Sequence, residues 1–393
     1  MKQWLCALLA VLLLCGVYIM THRTAPEKEM TEIRAVWISY PELSMKGEDD
    51  RSEKAFREKA ETMCRNIAEN GMNTVFLHVR PCSDAFYRSE IYPFSEYLTG
   101  KEGENPGYDP LEIFCDLAEK YDLSLHAWIN PFRICSVRNR NTRAAENPMH
   151  RLSEIEGCVI EADGGLYYNP AAPQVQALIL DGVRELLQNY PVDGVHIDDY
   201  FYPTTDDSAD ALQYADYRKS GGVLSRDAWR RDTVNRWIRA MYSAVKSFGA
   251  DKIFSISPCA DIRRNTETLY ADVAEWAEAE DCCDWLIPQL YVGLEHESLP
   301  FVRTAEQWQA LTKSDTVRLI FGLSVYKSGT EDRYAGTGSR EWLEHTDILS
   351  RQLQWLRSSA RYDGFALYSY SYAFGENTTK YSESEIKNLI DVL

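Results

Sequence analysis

The chain has 393 residues, of which 45% are hydrophobic and 26% charged, values that exclude a disordered chain and a polytopic membrane protein. Its formal net charge of -18 argues against a nucleic-acid partner, because phosphate recognition depends on clustered Lys and Arg. Aromatic residues make up 12% of the chain, and such rings suit the C–H faces of sugars while leaving polar edges for hydroxyl groups.

Residues 1–22 read as a signal peptide or an uncleaved N-terminal membrane anchor, with Lys2 ahead of an apolar run from Trp4 to Met20. Cys15 follows three leucines and so lacks the small residue that precedes a lipoprotein cysteine. This segment predicts export to the periplasm or cell envelope, with membrane contact through it alone. Ten cysteines occur, two of them in this segment, without CxxC or zinc spacing. They predict neither a metal centre nor a disulfide framework, and no cofactor is expected.

From residue 31 to 393 a β-rich run, a loop and an amphipathic helix recur. The predicted strands are 33–39, 73–80, 123–130, 192–199, 252–258, 285–290, 317–325 and 364–370. Helices are expected at 53–70, 111–121, 174–190 and 227–248, the third carrying Val175, Leu178, Ile179, Val183, Leu186 and Leu187 at helical spacing. Gly71 stands where a left-handed residue would end the first of these helices. Eight strands alternating with helices predict an α/β fold of the (β/α)8 TIM-barrel type, and no GxGxxG follows the first strand. Long loops follow strands three and four (131–173 and 200–226), on the face where barrels place their sites.

Strand parity divides each strand into a set facing the helices and a set facing the barrel axis. It sends Val75, Leu77 and Val79 outward, and His78 and Arg80 inward. The same rule turns His126, Trp128 and Asn130 inward on the third strand, and His196 and Asp198 on the fourth. Ser255, Ser257 and Gln289 face the axis on the next two. Buried polar groups without partners cost a few kcal/mol each, so such a set predicts a ligand site. Asp198, inward at the end of the fourth strand, and Asp199 beside it are the candidate catalytic carboxylates, since glycosidic cleavage needs a proton donor and a carboxylate partner. Asp199 is expected to reach across the rim toward Arg80 or Arg133. Asp206 and Asp207 fit a loop cap or a surface pair. The candidate substrate ligands are Arg80, Asp84, His126, Asn130, Arg133, His196 and Gln289, with Trp128, Tyr202 and Tyr291 as sugar platforms.

The segments Arg-Ala-Val-Trp from Arg34, Val-Arg-Pro-Cys-Ser-Asp-Ala-Phe-Tyr from Val79 and His-Ala-Trp-Ile-Asn-Pro from His126 occur in order. Asp-Gly-Val-His-Ile-Asp-Asp-Tyr-Phe-Tyr-Pro from Asp193, Asp-Ala-Trp-Arg-Arg from Asp227 and Pro-Gln-Leu-Tyr from Pro288 follow. Together they resemble the glycosyl hydrolase-like 10 family of bacterial envelope proteins, from about Thr31 to the C-terminus. The resemblance implies a barrel hydrolase, export, and action on peptidoglycan glycan strands stripped of peptides. The fourth-strand segment is also similar to the chitinase pattern DGxDxDxE. There Asp193 and Asp198 match its first and third carboxylates, His196 replaces the second, and Tyr200 stands in place of the acid-donating glutamate. The proton donor would then be Asp198, Asp199, or a carboxylate from another loop such as Glu42 or Asp84.

The function expected is hydrolysis of O-glycosidic bonds in an oligosaccharide or polysaccharide of the cell-wall type. The alternative is a non-catalytic glycan-binding barrel, favoured by Tyr200. A third reading, a zinc hydrolase built on His78, His126, His196 and Asp198, finds no HxH or HExxH spacing to support it.

Overall fold

The computed structural model describes residues 32–393, so the proposed leader at 1–22 lies outside the described residues, as does Thr31. Eight parallel strands close a barrel in the order Ile33–Ile38, Gly364–Tyr368, Arg318–Ser324, Trp285–Leu286, Ile253–Ile256, Gly194–Ile197, Ser124–Ile129 and Thr74–Arg80. The strands are β1 (Ile33–Ile38), β2 (Thr74–Arg80), β3 (Ser124–Ile129), β7 (Gly194–Ile197), β8 (Ile253–Ile256), β9 (Trp285–Leu286), β10 (Arg318–Ser324) and β11 (Gly364–Tyr368). All eight fall on predicted strands. The least regular is β9, which pairs for two residues only. Pro288 has no N–H to continue the ladder there, and pairing resumes only as single bridges at Gln289.

The intervening helices pack on the outside by the expected stripes. In Pro173–Asn189 the buried positions include Val175, Leu178, Ile179, Val183, Leu186 and Leu187. Each such side chain contributes about 1.5–3 kcal/mol by leaving water. Ser52 caps Glu53–Glu69 through the N–H of Ala55, and Gly71, at φ +77°, turns the chain out of that helix. Among the described residues no helix is long and apolar enough to cross a membrane.

Two cores result. One lies between strands and helices and takes Val75, Leu77, Val79, Leu125, Ala127, Ile129, Val195, Ile197, Phe254 and Ile256. The other fills the barrel axis with Trp37, Phe76, Trp128, Trp285, Ile287 and Ile320. The division follows strand parity. The long loop after β3 is more ordered than expected of a loop. It folds into an antiparallel sheet of β4 (Arg133–Ser136), β5 (Val159–Ala162) and β6 (Gly165–Tyr168), in the order β4-β6-β5. The loop after β7 carries the helix Ala211–Lys219. Asp206 caps the 3-10 turn Asp207–Asp210 that leads into it, accepting the N–H of Ser208.

Candidate active site

At the C-terminal end of the barrel a cavity of about 200 Å³ is walled by Trp37, Trp128, Asp198, Asp199, Tyr200, Ser257, Gln289, Tyr291, Tyr326 and Tyr368. The ladder of β7 ends at Ile197, so Asp198 and Asp199 stand in the first turn beyond it. That turn frees them from alternate facing, and both carboxylates reach the same cavity.

Asp198 is 5% exposed. Its Oδ2 accepts from Trp128 Nε1 at 3.1 Å and, at 3.4 Å, from Asn130 Nδ2. Its Oδ1 accepts only a long contact from the Tyr200 N–H, at 3.4 Å, and has room to carry a proton. Burial, reinforced by the neighbouring charge of Asp199, pushes the Asp198 carboxyl up to about 8. The Trp128 donor, the Tyr200 N–H and the Arg133 charge oppose that rise without cancelling it. At neutral pH Asp198 is therefore mainly an acid with a proton to give. Asp199 is also raised by burial, against Gln289, whose Nε2 lies 3.4 Å from its Oδ1, and the charge of Arg264. Gln289 is itself fixed by the carbonyl and hydroxyl of Ser257, at 2.9 and 3.0 Å.

Asn130 has two tasks. Its amide nitrogen faces Asp198, and its Oδ1 accepts the backbone N–H of Arg133 at 3.1 Å, tying the site to the sheet that follows β3. Arg133 is partly buried near Tyr40, Tyr200 and Cys82, and its charge acts on both Asp198 and His78. Its guanidinium makes no ion pair among the described residues. Asp199 turns to Gln289 and not across the rim to Arg80 or Arg133.

Several predicted ligands lie elsewhere. Arg80 does not face the axis, because the β2–β3 register shifts between His78 and Arg80. This bulge inserts Val79 as an extra residue and sends Arg80 to the outer side. There its guanidinium lies 4.5 Å over the Tyr92 ring, in a notch left by Gly182, where a Cβ would come within 2.4 Å of Arg80 Nη1. His196 faces the axis but one layer below the cavity. Trp37 Nε1 donates to its Nε2 at 3.0 Å, so its Nδ1–H points to Ser255 Oγ at 2.9 Å. It stacks on Phe76 at 4.3 Å, and burial holds it well below the usual histidine range. His126 lies fully buried against Trp285, held down at about 3 by burial and the charge of Lys252. Its Nε2 meets Ser124 Oγ at 3.1 Å.

Tyr202 is buried between Arg230 and Tyr270, outside the cavity. Strand parity carries no information that far past the end of β7. Asp84 is buried under the loop after β2, beside Ser95 and Arg143, and burial raises its carboxyl. The same Arg143 pairs with Glu96 at 2.7 Å and Glu102 at 3.2 Å, which makes this an anchor for the long loop. Glu42 accepts from Ser39 Oγ and Ser369 Oγ, both at 2.8 Å, and from the Ser371 N–H, so it joins two loops. Asp193 accepts the Leu125 N–H at the opposite end of its strand. Four cavity residues were absent from the predicted site, Trp37, Tyr200, Tyr326 and Tyr368, while Ser257 belonged to the axis-facing set without being named a ligand. Parity identifies Trp37, Ser257 and Tyr368, whereas Tyr326 lies past the end of β10.

His78 stacks on Trp128 with ring centres 3.6 Å apart, and neither ring nitrogen has a hydrogen-bond partner. Burial and the Arg133 charge keep it neutral. Among the described residues no group of three or more His, Cys, Asp or Glu is arranged to hold a metal ion. The eight described cysteines are free thiols.

Comparison with known proteins places this geometry in context. The family model described as Glycosyl hydrolase-like 10 matches residues 32–335. The chain is 31% identical over 350 residues to "Glycosyl hydrolase YngK" of Bacillus subtilis strain 168, covering 84% of this chain and 68% of that protein. It is 32% identical over 280 residues to "Glycosyl hydrolase DigH" of Escherichia coli K12, covering 66% of this chain and 63% of that one. Among solved structures, the PgaB (BpsB) glycoside hydrolase domain from Bordetella bronchiseptica matches with a TM-score of 0.61 at 13% identity, covering 91% of this chain and 99% of that domain. Alpha-L-fucosidase isoenzyme 2 from Paenibacillus thiaminolyticus matches at 0.55 and 11% identity, over 92% of this chain and 49% of its own. At such identities these two likenesses concern the fold.

Proposed function

The chain belongs to the glycosyl hydrolase-like 10 family and is on that account an enzyme of the glycoside-hydrolase class; from this premise we propose that it cleaves O-glycosidic bonds of a cell-wall-type glycan, with Asp198 as proton donor and Asp199 as its carboxylate partner. The observation that carries the assignment is the pairing of a carboxyl raised to about 8 with a second carboxylate in one cavity. In the reaction, the bond between the anomeric carbon and the leaving oxygen breaks as Asp198 protonates that oxygen. Asp199 supports the positive charge developing on the ring, and water completes the exchange at the anomeric carbon. Trp128 and Asn130 position Asp198, and Gln289 holds Asp199.

The finer substrate assignment rests on three supports. The cavity is lined by the tyrosines and tryptophans expected of a sugar site. Arg133, whose charge acts on Asp198 and Tyr200 and which makes no ion pair among the described residues, suits an acidic substituent such as the lactyl carboxylate of a peptide-free wall glycan. The relatives named glycosyl hydrolases are 31% and 32% identical to this chain over the aligned residues. Residues 1–22 would export the enzyme to the periplasm or envelope and tether it if uncleaved. Cell fractionation of the full chain, beside a chain lacking those residues, tests this: recovery of both from the same cytoplasmic fraction would refute it.

Purified protein incubated with peptide-free peptidoglycan strands and with chitin oligomers should release new reducing ends from the former, identified by mass spectrometry. Asp198→Asn and Asp199→Asn should each abolish turnover while remaining folded. Full activity in both would overturn the assignment. Binding without cleavage by the unaltered protein would instead favour a glycan-binding barrel, the reading that Tyr200 in the chitinase acid position supports.

A further inference from the structure

The catalytic cavity is small. At about 200 Å³ it falls below the roughly 300–1,000 Å³ of pockets that enclose a drug-sized ligand. A second cavity of about 870 Å³ adjoins it and shares two wall residues, Tyr326 and Tyr368. It runs between the loop after β1, the helix Glu53–Glu69 and the segment after β11. The mechanism above uses none of its remaining residues.

The wall between the two spaces is a run of tyrosine rings. Tyr291, in the catalytic cavity, lies 5.3 Å from Tyr368 and 5.9 Å from Tyr326. Tyr326 lies 6.1 Å from Tyr372, which lines only the second cavity. All four tyrosines are partly exposed, and all but Tyr291 line the second cavity. The polar groups around them are mostly uncharged or already engaged. Glu42 is held by Ser39, Ser369 and Ser371, and Lys59 donates to the Ser44 carbonyl at 2.8 Å. Flat apolar rings with hydroxyl edges, next to amide side chains such as Asn66 and Asn377, match a chain of neutral, hydroxyl-rich rings.

We propose that this second cavity binds the continuation of the glycan chain, the sugar units beyond the one seated against Asp198, and that the protein therefore prefers long chains to short ones. The inference rests on the glycan-hydrolase reading and adds to it a polymer-binding extension with a direction: along the β1–β11 side of the mouth. Its continuity with the catalytic cavity through Tyr326 and Tyr368 identifies the occupant as part of the same molecule that is cut.

The test uses the full chain and peptide-free wall-glycan oligomers of graded length. In the unaltered protein kcat/KM should rise with length. Tyr372→Ala should flatten that rise by about five- to tenfold at the longest oligomer and leave the shortest cleaved oligomer unchanged. Rates independent of length, or an equal loss at every length, would overturn the proposal. Tyr372→Leu keeps bulk and loses the ring, and serves if the alanine variant fails to fold. Binding of the longest oligomer to Asp198→Asn protein, by calorimetry with and without Tyr372→Ala, separates this inference from the hydrolase reading. Weaker binding by a similar factor supports the extension even where no bond is cut; equal affinity refutes it.

Discussion

Two side chains two positions apart, His196 inside β7 and Asp198 just past its end, meet opposite fates. His196 lies in the middle layer of the barrel, where Trp37 donates to one nitrogen and Ser255 faces the other. Its hydrogen-bonding capacity is spent inside the protein, and it serves as a brace. Asp198 lies one layer higher, where Trp128 satisfies one oxygen and the other meets only a distant N–H. The charge of Asp199 next to it raises its proton affinity further. Facing the axis is thus not enough to make a polar residue part of the chemistry. What separates the two is height along the axis and whether neighbours have already used its lone pairs.

The largest effect that sharpens this contrast is kinetic. Asp198→Asn should lower kcat on the cleaved glycan by about 10²–10⁴-fold, the range of a lost proton donor. His196→Leu should lower turnover per folded molecule far less. A variant at His196 as inactive as one at Asp198, with folding intact, would erase the distinction. The same Asp198→Asn change should raise stability near pH 7 by on the order of a few kcal/mol, read from urea unfolding. The sign follows from a folded-state value of about 8 against about 3.9 in an unfolded chain. The stability tied to this group is complete below about pH 4 and is lost as pH rises through about 8, so the wild type carries a penalty that the amide avoids. Unfolding curves that coincide at pH 7 would contradict the raised value.

His196→Leu should act in the opposite sense, destabilising by about 1–3 kcal/mol, because the Trp37 N–H loses its acceptor in a dry interior. Chemical denaturation checks this, and an unchanged midpoint would deny the bracing role. The smallest effect is a shift in pH profile. Trp128 donates to Asp198 and lowers its proton affinity, so Trp128→Phe should move the alkaline limb of kcat/KM upward by about half to one unit. A limb that stays in place, or moves down, would detach Trp128 from the proposed proton donor.

Most of the architecture was legible in the amino-acid order. Hydrophobic alternation placed all eight strands, and the outward sets of β2, β3 and β7 meet the helices as parity requires. Parity also brought Trp128 and Gln289 to the cavity. It failed where its assumption of an unbroken ladder failed, at the bulge before Arg80; Tyr202, chosen as an aromatic platform, lies beyond the end of β7, where parity has no reach. It cannot report depth, which is why His126 and His196 looked equivalent to Asp198. Tyr326 and the small sheet of β4, β5 and β6 belong to loops, where no period exists to read. Asp84 was drawn in by its motif, but Arg143, whose charge acts on it, stands 59 positions later and could not be foreseen from spacing.

The bulge at Val79 makes β2 a strand with two addressees. Up to His78 it speaks to the interior of the cylinder, and from Arg80 onward to the shell around it. The signature Val-Arg-Pro therefore mixes chemistry with carpentry: its arginine is a peg seated in the Gly182 notch. Filling that notch with a methyl group would loosen the peg and leave Asp198 and Asp199, inside the wall, where they are.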